Sequence, residues 1–193
     1  QRSYAWKEQN VLDLLQDITT TIKEGAKEYF LGSVVISQKD IDRPEVVDGQ
    51  QSLATVTILL AAIRDYFYSK NDQTRYHSIE GDYLVKTDLG TLERIPKLRL
   101  NEADNDFFRK RILSLPGSED RNTAPSKESH KRIERAQQLS SSHVSKLSTI
   151  YDDPTSQLVQ LVEYIKNNAK VILVRVPDDA NAFTLFETLN DRG

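Results

Sequence analysis

The segment 46–60, VVDGQQSLATVTILL, carries the residues whose types and order suit phosphate chemistry. Two valines enter a polar turn, Asp48-Gly49-Gln50-Gln51, and a long amphipathic pattern leaves it. Glycine in such a turn admits backbone angles that a Cβ resists. A helix starting here has first-turn amides without intrahelical acceptors, backed by the positive end of its dipole. That combination suits an anion such as a phosphate. The same four residues also fit an ordinary strand–turn–helix corner.

The elements around this turn follow from periodicity. Arg2, Tyr4 and Trp6 lie within the first six residues and read as an extended arm pinned by its two aromatics. Val11, Leu14, Leu15, Ile18 and Ile22 recur at helical spacing and predict a helix over 7–24 that stops at Gly25. Residues 29–37, YFLGSVVIS, predict a strand in which Gly32 marks a bulge or a close approach, with a second short strand over 44–48. Leu53, Val56, Leu60, Ile63 and Phe67 trace one face of a helix from 51 to about 69. Ile79, Tyr83 and Leu84 fit the end of a short helix, and segments 83–86 and 95–100 also fit strands paired around a turn at 88–91; Asn101 caps a helix with Phe107, Phe108 and Ile112 inward.

Residues 114–129 hold two prolines and almost no apolar side chain, and read as a mobile loop. A polar helix over 130–150, interrupted near 140–142, comes next, then a helix opened by Asp153-Pro154. KVILVRV at 170–176 reads as a buried central strand. Asp178 or Asp179 caps a last helix whose apolar stripe is Ala182, Phe183, Phe186 and Leu189. This order describes an α/β (α+β) chain: a small sheet domain over 1–113 and 170–193, the loop at 114–129, and a helical insertion over 130–169.

Composition narrows the chemistry. The net charge of −3 gives no bulk attraction to nucleic acid, so any such contact needs a local basic patch. The absence of cysteine excludes disulfides, thiol catalysis and thiolate metal sites. No apolar run is long enough to span a membrane and no signal peptide is visible, so the expected location is cytoplasmic. His77, His130 and His143 lack metal-type spacing, and there is no GxxxxGK[ST], GxGxxG, HExxH or GxSxG pattern. The chain starts at Gln1 without methionine and stops at Gly193, which reads as a fragment of a longer protein.

Three pieces taken together carry a resemblance: Gln1-Arg2 with Tyr4 and Trp6, then Asp48-Gly49-Gln50-Gln51, then Phe186-Glu187 with Leu189-Asn190 and Arg192-Gly193. With KLRLNEADNDFF at 97–108 between them, the chain resembles the N-terminal domain of GmrSD-type restriction endonucleases, which also occurs in SspE and related phage-defence proteins. The resemblance implies a fold similar to ParB and sulfiredoxin. It also implies binding and hydrolysis of a nucleoside triphosphate, GTP or ATP with Mg2+, in the control of cleavage of foreign or modified DNA. The nuclease would then lie in a following domain or subunit.

On that resemblance Asp48 is the expected magnesium ligand or water orienter, and Gly49 admits the phosphates. Gln50 and Gln51 bond the phosphates or the attacking water. Arg2, Asn190 and Arg192 converge on the same site from the chain ends. The family's motif continues with arginine where this chain has Ser52. A hydroxyl cannot replace a guanidinium fork at a phosphoryl group, so hydrolysis is expected to suffer more than binding. The alternative reading is a non-catalytic DNA- or protein-recognition module, with Arg109, Lys110, Arg111, Lys131, Arg132 and Arg135 as phosphate partners.

Overall fold

The computed structural model describes residues 2–37 and 45–177. Their element order is α1 (Glu8–Lys23), β1 (Tyr29–Ser37), β2 (Glu45–Asp48), α2 (Gln50–Ser69), α3 (Gln73–Ile79), β3 (Val85–Thr87), β4 (Arg94–Pro96), α4 (Glu102–Phe108), α5 (Glu128–Ile150), α6 (Pro154–Asn168) and β5 (Ala169–Val176). Strands β2, β1 and β5 form one mixed sheet in that order, and β3 and β4 form a separate antiparallel pair. The α+β class is as expected. So is the bulge at Gly32: the β1–β5 register shifts between Phe30 and Gly32, and Gly32 has φ +126°.

Side-chain caps open α4 and α6. Asn101 accepts the Asp104 amide at 2.9 Å and Asp153 accepts that of Ser156 at 3.0 Å. The two strands expected around residues 88–91 pair as β3 and β4, because Asp88 Oδ1 accepts the amides of Gly90 and Thr91, both at 2.9 Å, and closes the turn.

Three expectations are corrected. KVILVRV forms β5, but among the described residues β1 holds the central place and β5 flanks it, with Ile172 57% exposed. A β-branched run makes a strand without fixing its place in the sheet. α5 runs unbroken through residues 140–142, with Ser140 buried on its inner face. α2 is buried on several sides rather than along one stripe: Ala54, Val56, Ile58, Leu59, Leu60, Ile63 and Phe67 all face protein.

A single apolar cluster draws Val11, Leu15 and Ile18 of α1, the α2 residues, Phe107 and Phe108 of α4, Ile133 of α5, and Leu158 and Leu161 of α6. A smaller cluster, Val35 with Val176, packs within the sheet. In the segment 114–129, Glu119–Asn122 form a 3-10 turn, and Arg121 makes a two-pronged bond to Asp65 of α2 at 2.6 and 3.1 Å.

Arg64 is fully buried in α2. Its guanidinium donates to Asp65 at 2.8 Å, to Glu80 at 2.7 Å and to the Ile112 carbonyl at 3.0 Å, while Arg94 donates to the other Glu80 oxygen. Glu80 opens a π-helical turn over Glu80–Leu84, and Ile112 lies in a second over Arg109–Leu113. A buried guanidinium persists only with its donors satisfied, and Asp65 of α2 and these two turns together satisfy them.

Candidate functional site

The corner after β2 is built by Gly49. Its φ is +83°, and a Cβ there would lie 2.4 Å from the Ser33 carbonyl oxygen and 2.9 Å from Val34 Cγ2. Glycine is therefore demanded twice, by the left-handed backbone and by the approach of the corner to β1. The sequence alone assigns this freedom to phosphates; in the fold the space is taken by β1. Gln50 Nε2 folds back on the strand, donating to the Val46 carbonyl at 2.6 Å and to that of Val47 at 3.3 Å. Ser52 is 8% exposed and its hydroxyl donates to the Gly49 carbonyl at 3.1 Å. The first intrahelical bond is Leu53 N–H to the Gly49 carbonyl at 3.4 Å, so the amides of Gln50, Gln51 and Ser52 have no helical acceptor. Asp48 sits half-buried just before them.

Gln51 ties the corner to the N-terminal arm. Its Oε1 accepts the amides of Ala5 at 2.7 Å and Trp6 at 3.3 Å, and its Nε2 donates to the Ser3 carbonyl at 3.2 Å. Tyr4, between them, is buried, and its hydroxyl shares a 2.7 Å hydrogen bond with Thr55 one helical turn beyond Gln51. Burial pushes this phenol up to about 12, against the opposing effect of the Thr55 bond. The arm thus meets the Asp48 turn through residues 3–6, and Arg2 directly precedes them. Asn190 and Arg192, the other half of the expected convergence, lie outside the described residues, as do Gln1 and the cap candidates Asp178 and Asp179.

Sequence reasoning does not single out Asp104 as an anchor. It is fully buried; its carboxylate accepts the Tyr4 amide at 2.8 Å and the Ser129 hydroxyl at 2.6 Å. The neighbouring Asn101 Nδ2 donates to the Ser3 hydroxyl at 3.1 Å. The signal is present in the segment KLRLNEADNDFF, where Asp104 looks like a first-turn helix acid; only the fold shows that it faces the arm.

The basic candidates divide into two groups. Arg109 and Lys110 pair with Asp106 at 3.4 and 2.8 Å, and Arg111 is engaged by Glu134 at 2.9 Å and by Gln137 at 3.0 Å. Lys131, Arg132 and Arg135 instead line a cleft beside Trp6, where Arg135 pairs with Glu8 at 2.8 Å and Arg132 donates to the Ala5 carbonyl at 3.0 Å. Among the described residues no three His, Asp or Glu side chains are grouped to hold a metal ion. No described helix is long and apolar enough to cross a membrane.

The model of the GmrSD restriction endonuclease N-terminal domain matches residues 1–193, the whole chain. The chain belongs to this family, a component of DNA restriction systems. No curated protein matches it.

Proposed function

We propose that this domain is the nucleotide-binding, NTPase-type sensor of a modification-dependent, phage-defence restriction endonuclease. The observation that carries the reading is the corner itself: a half-buried carboxylate, Asp48, stands directly before three first-turn amides that lack helical acceptors. The donor set fits the expected ligands. Magnesium commonly takes one or two protein carboxylates and completes its shell with water and substrate phosphates. A lone Asp48 therefore suffices only if the nucleotide supplies the rest, and the amides of Gln50–Ser52 are the natural phosphate partners.

Within this reading the internal bonds of Gln50 and Gln51 give them positioning roles. Gln50 fixes the turn, and Gln51 holds the arm that Arg2 directly precedes. Bound Mg2+ and nucleotide would supply the electrophile and charge neutralisation; the chain's own contribution is positioning. Ser52 bonds the Gly49 carbonyl and carries no positive charge, which supports impaired hydrolysis with binding retained. DNA and the nuclease module are the partners of this sensor in the whole protein.

The test is calorimetric titration with GTP, ATP and CTP in magnesium, beside Ser52→Arg. Saturable binding by both, with hydrolysis confined to the variant, supports the reading. No binding by either overturns it.

A further inference from the structure

We infer that the cleft between the start of α1 and α5 binds an unpaired nucleotide of a nucleic-acid strand, with Trp6 as its stacking surface. The inference rests on this cleft alone and requires neither nucleotide binding nor hydrolysis at Asp48.

The cleft encloses about 340 Å³ and is floored by the apolar Val11 and Ala136. Trp6 packs on the main core and also lines the cleft, while Gln51 fixes its backbone amide. An indole that packs on the core and also lines the cleft can offer a planar group an aromatic surface. Four cations surround it, Lys7, Lys131, Arg132 and Arg135, against two carboxylates, Glu8 and Glu128. This local excess of positive charge occurs on a chain whose net charge is −3. The Lys131 and Arg135 side chains are 66% and 48% exposed.

Glu8 engages Arg135 through two bonds at 2.8 and 2.9 Å, but both side chains are about half exposed, and the other cations are held more loosely. Glu128 reaches Lys131 only at 3.9 Å and Arg132 at 3.6 Å, and Lys7 forms no ion pair among the described residues. Exposed pairs of this kind are worth about 0–1 kcal/mol, so a phosphate displaces them at little cost. A bare anion would use the cations and leave the indole and the apolar floor idle. A base with its phosphates uses all three, and stacking of a base on an aromatic side chain is sequence-tolerant. A duplex keeps its bases stacked inside, so the fitting ligand is single-stranded or an extruded base.

Trp6 is the sole tryptophan of the chain, and its fluorescence reads the cleft directly. The experiment titrates the full chain, without nucleotide or magnesium, with a short single-stranded oligothymidylate, a duplex of matched charge, and polyglutamate. Saturable quenching by the single strand is expected. Affinity should fall about tenfold in Trp6→Leu, in line with the loss of one stacked base. Lys7→Glu/Lys131→Glu should weaken binding at least as much and flatten its salt dependence, with an unchanged melting temperature because both side chains are exposed. Equal quenching by polyglutamate would overturn the inference in favour of an acidic-peptide groove. Single-strand affinity that is unchanged in the double variant would overturn it outright, and so would tighter binding of the duplex.

Discussion

Gln51 accepts the backbone amide of Ala5 at 2.7 Å, so the arm and the strand–helix corner are one structural unit. The residue expected to touch phosphate instead spends both ends of its side-chain amide on residues 3–6. Any ligand that recruits the Gln51 side chain must release the arm, and any change in the arm is felt at the corner.

Gln51→Ala removes the partner of two amides and a carbonyl. The expected loss is about 1–3 kcal/mol, since exposed parts of the arm recover water. Hydrogen exchange at Ala5 and Trp6 should accelerate while α2 stays protected. Unchanged exchange there would mean that Asp104 and Thr55 hold the arm unaided.

Gly49→Ala meets both a left-handed backbone and the Ser33 carbonyl. The two penalties together predict a destabilisation of about 2–4 kcal/mol in chemical denaturation. Gly25 also has positive φ, but a Cβ there would meet no atom within 4 Å. The same change at Gly25 should therefore cost only about 1 kcal/mol.

Glu80→Ala strands the fully buried Arg64 and should cost about 3 kcal/mol or more. The double variant Arg64→Met/Glu80→Leu should recover much of this, because an apolar pair needs no compensation. A double variant as unstable as the single would show that the Ile112 carbonyl, rather than the charge pair, is the dependent group.

Tyr4 sets an alkaline limit. Its folded pKa, about 12, lies above the unfolded value near 10. The native state therefore holds the proton longer: the contribution is whole below pH 10 and is lost as pH rises from 10 towards 12. At about 1.4 kcal/mol per unit the total is about 3 kcal/mol. Tyr4→Phe should flatten part of the decline in a pH-dependent denaturation series. The buried or partly buried Tyr29, Tyr76, Tyr83 and Tyr164, also shifted upward by burial, keep the remainder.

Much of the local structure is legible in the sequence because its causes are local. Asn101 and Asp153 cap where their side chains reach the next turn, and the Asp48-Gly49 turn is written in adjacent residues. The place of β5 beside β1, the burial of Arg64 and the docking of Tyr4 on Asp104 are not legible. Each depends on a partner far along the chain, and residue type carries no trace of which partner that is. The same limit affects the site: the side-chain amides of Gln50 and Gln51 suit phosphate by chemistry, and only the fold shows that β2 and the arm already use them.

The arm's contacts also set an order of events during synthesis. Ala5 leaves the ribosome before its partners Gln51 and Arg132, which follow 46 and 127 positions later. At about 5–20 residues per second the complete binding place for the arm exists only on the order of ten seconds after the arm itself. Until then the apolar ring of Trp6 and the phenol of Tyr4 are exposed to solvent or to chaperones. Docking of the arm is thus a closing step of folding, made once the helices that receive it have assembled.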